Sequence, residues 1–264
     1  MLEIFTYSFM IRAFIAGSII GVLAPLIGTF LVARRYSLIA DSLSHVSLAG
    51  VAIGLTLGVY PVYTAIITSV IAAFFIEKLR TSKRLSGESA LAIFLSGGLA
   101  VAVTLIGLAR GFNVDLFSYL FGSITTVRQV DVVVIGALGV IVGGGVLALY
   151  KELFFLSFDE ESAYVVGIPA RFLNGILVVM TAVTVALSMR IVGALLVGAL
   201  MVIPVVSAMQ FAKSFRQTMW YAVLIGFLCV IAGLFAAYYL NIPAGGSIVL
   251  SCLAVLFGTM LLRK

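Results

Sequence analysis

The sequence of 264 residues contains few charged side chains, one histidine, one tryptophan and two cysteines. Charged residues make up 10% of the chain and hydrophobic residues 63%, whereas soluble domains average about 25% and about half. This deficit of charge excludes a soluble globular protein. The 16 Lys and Arg stand in ones and twos between long apolar runs, so the net positive charge does not indicate nucleic-acid binding.

Motifs for enzymatic chemistry are also missing. Cys229 and Cys252 both lie inside apolar stretches, which excludes a disulfide framework and a zinc-finger spacing. No Gly-Lys pair occurs, so the chain has no P-loop with which to bind nucleotide phosphates. We therefore expect a protein that is not an enzyme and binds no permanent cofactor, and any ATP hydrolysis must come from another subunit.

What the sequence does contain is a series of apolar segments, each of about the 20 residues that a helix needs to cross a bilayer. They predict an all-α polytopic membrane protein, with one transmembrane domain over residues 1–264. The boundary at Arg190 is weak, so eight helices remain an alternative to nine, and an even number would put both termini on one side. The nine predicted helices are 8–32, 36–59, 61–79, 88–109, 130–150, 171–189, 191–211, 217–240 and 244–262.

The basic residues predict the orientation, because cytoplasmic loops of membrane proteins carry an excess of Lys and Arg. Nine alternating helices put most of the basic residues on one side, which is then cytoplasmic, with the N-terminus outside and the C-terminus inside. The first group is Arg34, Arg35, Lys78, Arg80, Lys83, Arg84, Lys151, Arg171, Lys213, Arg216, Arg263 and Lys264, and the second is Arg12, Arg110, Arg128 and Arg190.

One acidic residue, Asp41, falls well inside a predicted helix, and the only histidine, His45, follows it by four residues. Residues at this spacing share one side of a helix. Counted from Arg35 at about 1.5 Å per residue, His45 should lie roughly 15 Å deep. Ionisable groups at this depth are costly and usually mark the path of an ion, a proton or a substrate.

Imidazole and carboxylate together suit a divalent transition metal. Two ligands do not complete a metal site, but a second copy of the chain across a two-fold axis would supply two more. One alternative is an Asp-His hydrogen bond that only fixes the helix. Another is an intramembrane serine hydrolase built on Ser42 or Ser44 with His45, which is disfavoured because no Gly-x-Ser-x-Gly context is present.

Two further features stand out in the second half of the chain. Pro204 should kink or break the seventh helix. Residues 157–168 read as one short cytoplasmic helix, with acidic residues at its start and Gly167 near its end. With Phe158 and Tyr164 exposed, this helix is either a docking element for a partner or an interfacial loop.

Residues 41–50, DSLSHVSLAG, resemble the D-[AST]-L-[AS]-H-x-x-L-x-G signature of the metal-cation permeases of ATP-binding cassette (ABC) importers, and the ZnuB-type zinc permeases are the most similar. Ala49 stands where many members have proline before the last glycine. The resemblance covers nearly the whole chain. Three more segments agree with the family in order: residues 114–122, residues 192–204 and residues 243–245.

The resemblance implies a fold and a set of partners. Asp41 and His45 would line the metal path, and the helix over 157–168, with Phe158, Glu161, Tyr164 and Gly167, would be the coupling helix that contacts the ATPase. Members work as two permeases in the cytoplasmic membrane, with two cytoplasmic ATP-binding subunits and an extracytoplasmic metal-binding protein.

We therefore expect the membrane subunit of an ATP-driven importer of a divalent transition metal, most simply Zn²⁺. A manganese or iron importer of the same family is the alternative. A proton-coupled secondary metal carrier is less favoured, because it needs a further deep acid to take up the proton.

Overall fold

The computed structural model describes residues 2–80, 86–108 and 116–262, and within these ranges the chain forms helices and turns. Five of the basic residues named above lie outside the described part: Lys83, Arg84, Arg110, Arg263 and Lys264. A short 3-10 helix, Leu2–Thr6, precedes α1 (Ser8–Ala33), α2 (Leu38–Leu57), α3 (Pro61–Arg80), α4 (Gly87–Leu108), α5 (Leu116–Phe121), α6 (Gln129–Ala148), α7 (Tyr150–Phe158), α8 (Glu160–Val165), α9 (Ala170–Ser188), α10 (Val197–Met209), α11 (Phe215–Leu240) and α12 (Ala244–Leu262).

Eight of the described helices are long and apolar enough to cross a membrane: α1, α2, α3, α4, α6, α9, α11 and α12. Their ends differ from the predicted ends by at most two residues. The prediction of an all-α polytopic membrane protein is therefore confirmed. The apolar runs determine these helices because, in lipid, a helix satisfies its own backbone hydrogen bonds.

The helices end in two groups on opposite sides of the molecule. At the first, the Arg190 end, Tyr60 after α2 donates a hydrogen bond to Asp131 at the start of α6, and Arg190 after α9 contacts both. At the second, the Arg34 end, Arg34 after α1 forms an ion pair with Glu160 of α8.

The first and last spanning helices run in the same direction. Arg12 near the start of α1 lines a cavity at the Arg190 end together with Tyr60. Gly245, in the first turn of α12, lies against the backbone of Val192 at the same end. Both helices therefore begin at the Arg190 end and finish at the Arg34 end. The chain crosses an odd number of times, which agrees with nine passes although only eight of the described helices are full length.

The seventh of the nine passes is the part of the fold that was predicted wrongly. Instead of a helix over 191–211, residues 189–196 form turns and α10 begins only at Val197. Gly193 takes a positive φ of 87°, a conformation that glycine adopts without steric cost. The amides of Ala194 and Leu195 then donate to carbonyls of α5, those of Tyr119 and Leu120. The helix stops because this segment pairs with α5.

Pro204 does not break its helix, contrary to the stronger form of the prediction. It lies within α10, which continues to Met209. Irregular backbone inside a membrane is tolerated where protein covers it, and Ile191, Val192 and Ala194 are fully buried. The break in the seventh pass therefore lies at the contact with α5, upstream of the proline.

The predicted single helix over 157–168 is also corrected. α7 ends at Phe158, and Asp159 adopts a non-helical conformation with φ −149° and ψ 89°. The Asp159 carboxylate then accepts a hydrogen bond from the Ser162 amide at 2.8 Å, so this residue starts a second helix, α8, as its cap. After α8, Gly167 turns the chain with φ 85°. The side chains of Glu161 and Tyr164 are outside the described part of the structure.

The glycines spaced four apart pack helices of the same chain together, as small residues do in lipid. An added methyl group at six of them would touch a neighbouring helix, whereas at Gly58 it would meet nothing within 4 Å. Gly17 and Gly21 face α11, Gly50 and Gly54 face α3, and Gly139 and Gly143 face α1.

Candidate functional site

Asp41 and His45 lie on one side of α2, one helical turn apart, and both side chains are half-buried. The other side of α2 packs closely on α3 through Gly50 and Gly54. The acid and the imidazole therefore occupy the side of α2 that α3 does not cover, as their spacing predicted.

The two residues lie closer to the helix start than predicted. The chain turns at Arg34 and Arg35, where Arg35 takes a positive φ of 58°, and α2 begins at Leu38. Asp41 is consequently in the first turn of α2. His45 is about 11 Å along the helix axis from Leu38, instead of roughly 15 Å from Arg35.

Two other helices approach this site through glycines. Gly98 of α4 lies against the backbone of His45 and Val46, where an added Cβ would come within 3.0 Å of backbone atoms. Gly198 in the first turn of α10 lies against Asp41, where an added Cβ would be 2.1 Å from a carboxylate oxygen. The site is therefore enclosed by backbone on both flanks, and its polar groups come from α2.

Within the described residues, neither candidate ligand has a side-chain hydrogen bond. The Nδ1 atom of His45 is buried and has no hydrogen-bond partner. In the described residues, no hydrogen bond or ion pair engages the Asp41 carboxylate. The alternative of an Asp-His hydrogen bond that only fixes the helix is thus not supported. A buried nitrogen without a partner is costly, which is the state expected of a ligand-binding group.

The serines around the site have structural partners. Ser42 donates to the Leu91 carbonyl of α4, and Ser44 donates to the backbone oxygen of Asp41. Ser47 shares a hydrogen bond with Ser69 of α3. Because none of these hydroxyls bonds His45, the arrangement of nucleophile and base that a serine hydrolase requires is not formed.

One chain supplies too few ligands to close a metal site. The part of the chain that the structure describes holds no group of three or more His, Cys, Asp and Glu residues able to bind a metal ion. Asp41 and His45 are a half-site at most, since zinc and similar metals take four ligands or more.

A second polar cluster, at the Arg190 end, was missed from the sequence. The Asp131 side chain is 1% exposed, and its carboxylate lies 3.3 Å from the Arg190 guanidinium. Tyr60 donates to the same carboxylate at 2.5 Å, and the Arg128 amide donates to it at 2.8 Å. Burial, and then the hydrogen bond with Asp131, raise the pKa of the Tyr60 hydroxyl.

This cluster joins the α2–α3 turn, the start of α6 and the segment after α9, so it holds the Arg190 end together. In the sequence, Asp131 is only an acid at the start of the predicted helix 130–150. The available signal was Arg190 alone at the boundary between two apolar segments, because a cation in that position needs an anion nearby.

Comparison with known proteins identifies the family. The family model of the ABC 3 transport family matches residues 6–263. The chain belongs to the ABC 3 transport family. It is thus an ABC-type metal-transport permease and a multi-pass membrane protein.

Relatives that are named for different metals are similar over nearly the whole chain. A probable metal transport system membrane protein of Treponema pallidum is 38% identical, over 95% of this chain and 94% of the relative. The high-affinity zinc uptake system membrane protein ZnuB of Haemophilus influenzae is 31% identical, over 98% of each chain. The manganese import system permease protein ScaB of Streptococcus gordonii is also 31% identical, over 93% and 88%.

A solved structure agrees with the fold. PsaBC from Streptococcus pneumoniae, in complex with Fab, superposes with a TM-score of 0.87 at 30% identity, over 98% of this chain and 92% of the other. The fold expected from the family resemblance is therefore confirmed.

Proposed function

We propose that this chain is the membrane subunit of an ATP-driven importer of a divalent transition metal, and that the metal is Zn²⁺. The observation that carries the proposal is the pair of unengaged ligands on α2, the Asp41 carboxylate and the His45 imidazole. A metal crossing a low-dielectric region must exchange its water for charged or lone-pair donors. These two groups are such donors.

The choice of zinc follows from the ligand set. Two copies of the chain across a two-fold axis offer two imidazoles and two carboxylates, a four-ligand set that suits tetrahedral zinc. Manganese prefers more oxygen ligands. The similarity to ScaB, a manganese import permease, supports Mn²⁺ as the alternative cargo.

The partners follow from what the chain lacks. Without a P-loop it needs ATP-binding subunits, and a dimer needs two of them. The Arg34 end carries eight of the described basic residues identified above, against three at the Arg190 end, so we assign it to the cytoplasm of a cell-membrane protein. The Arg190 end then faces the extracytoplasmic metal-binding protein.

The ATPase contact is assigned to α7, α8 and the turn at Gly167. These elements lie at the Arg34 end, because Glu160 of α8 pairs with Arg34. Phe158 at the end of α7 is 66% exposed, so a large apolar side chain is available at this end for contact with a partner. The same cytoplasmic segment contains Glu161 and Tyr164 in α8 and Gly167 in the turn that follows.

The experiment is uptake of ⁶⁵Zn and ⁵⁴Mn by the complete transporter in proteoliposomes. Asp41→Asn and His45→Gln should each reduce uptake to background while the permease still assembles with its ATPase. Glu88→Gln, which removes an exposed acid from the first turn of α4, is the matched control and should transport normally. Normal uptake by both site variants would refute the proposal. Uptake of manganese without zinc would show that the cargo is Mn²⁺, and the proposal of a metal importer would stand.

A proton-coupled carrier is the second candidate, and the same vesicles test it. The buried acid it would need, Asp131, is already paired with Arg190. Uptake that follows an imposed proton gradient without ATP would favour the carrier over the importer.

A further inference from the structure

A long apolar groove runs between α6 and α11 on the outer surface of the helix bundle. Both helices pack on α1, but in the described residues they scarcely contact each other. The gap between them has a volume of about 500 Å³, and residues of α1 form its floor. One wall includes Gly136, Gly139 and Gly143 of α6, which have no side chains to fill the gap.

The groove has the length of one bilayer leaflet. On α6 it extends from Gly136 to Leu147, which is about 17 Å at the helical rise. Half of a hydrocarbon core about 30 Å thick is about 15 Å. The groove therefore matches one acyl chain lying parallel to the helices.

At the Arg34 end the groove opens into a second cavity of about 340 Å³. The two cavities share Leu147 and Trp220. Lys151 and Arg216 line this second cavity, and both are exposed. In the described part of the chain no hydrogen bond or ion pair engages either cation. Trp220, the only tryptophan of the sequence, lies where the groove meets the second cavity. Tryptophan is enriched at membrane interfaces.

We propose that this groove binds one anionic phospholipid of the cytoplasmic leaflet, with an acyl chain between α6 and α11 and its phosphate between Lys151 and Arg216. Charge complementarity supports this occupant, because two unpaired cations face the headgroup layer at one end of an apolar channel. Basic pockets between membrane helices on the cytoplasmic side bind anionic headgroups in this way. The proposal does not depend on which metal is transported.

The role of the two cations is tested by native mass spectrometry. The delipidated permease is titrated with phosphatidylglycerol or phosphatidylcholine. Lys151→Gln/Arg216→Gln should weaken phosphatidylglycerol binding about 30-fold, since each cation near an anionic surface contributes about 1 kcal/mol. Phosphatidylcholine binding should change little. Arg171→Gln/Lys213→Gln removes two exposed cations from the same end outside this groove and should have no such effect. Equal losses in both pairs would mean diffuse attraction and refute the site.

The groove itself is tested with two glycines of α6. An added Cβ atom meets nothing within 4 Å at either Gly136 or Gly144, and of the two only Gly136 lines the groove. Gly136→Leu should abolish retention of the lipid, and Gly144→Leu should keep it. Retention by Gly136→Leu would overturn the proposal.

Two further outcomes would also overturn it. One is complete competition by inorganic phosphate, because a soluble anion should not replace a ligand held by its acyl chain. The other is loss of ATPase binding, with lipid retention unchanged, in Lys151→Gln/Arg216→Gln, which would make the cations a protein-docking surface.

Discussion

Gly198 of α10 lies directly against the carboxylate of Asp41, so close that an added Cβ would stand 2.1 Å from an oxygen of that carboxylate. Only a glycine fits here without displacing the acid. The position of Asp41 is therefore determined as much by α10 as by α2, although 157 residues separate the two in sequence.

The first prediction concerns this contact. Gly198→Ala should push the Asp41 carboxylate aside and lower metal uptake about tenfold, because overpacking typically costs 1–3 kcal/mol. Gly175→Ala is the matched control, since an added Cβ at that helical glycine meets nothing within 4 Å. Uptake is measured in proteoliposomes and normalised to the amount of assembled permease. Equal uptake by the two variants would show that the contact does not position Asp41.

The second prediction concerns the buried ion pair at the Arg190 end. Asp131→Asn should lower the melting temperature strongly, because removing one partner of a buried pair costs about 3–5 kcal/mol. Arg190→Gln should do the same. The double variant should lose much less than the sum of the two, since it leaves no unpaired charge. Additive losses would mean that the two residues act independently.

The third prediction tests the nine passes. Thr125, in the turn before α6, and Lys213, in the turn before α11, are both exposed. Single cysteines at these positions, in a Cys229→Ala/Cys252→Ala background, should react with impermeant maleimide from opposite sides of the membrane. The reason is that residues 189–209 carry the chain across after α9. Labelling of both cysteines from one side would show that residues 189–209 do not cross the membrane.

The fourth prediction separates backbone conformation from volume at the proposed coupling element. Gly167 has φ 85°, but an added Cβ there meets nothing within 4 Å. Gly167→Val should therefore strain the turn by about 1–3 kcal/mol and lower the number of metal ions transported per ATP. Gly167→Asn should retain most coupling, because Asn tolerates the left-handed conformation. If Gly167→Val couples normally, this turn does not transmit the ATPase contact.

The sequence by itself determined the class of the protein, eight of its helices and its two candidate ligands. Apolar runs of about 20 residues fold as helices in lipid whatever surrounds them, because each helix satisfies its own backbone hydrogen bonds. The pair Asp41 and His45 was visible for a similar reason, since four-residue spacing places two side chains together within one helix. These are local properties, and local properties can be derived from the residues alone.

Contacts between distant segments decided the rest. The segment over 189–196 is as apolar as a helix, yet it pairs with the backbone of α5 and turns at Gly193. Asp131 reads as an ordinary acid at a helix end until Tyr60 and Arg190 enclose it. The absence of a hydrogen bond to His45 Nδ1, and the approach of Gly198 to Asp41, likewise depend on how α2, α4 and α10 pack. The composition of a single segment does not specify which backbone or side chain it will meet, so only the tertiary structure could decide these features.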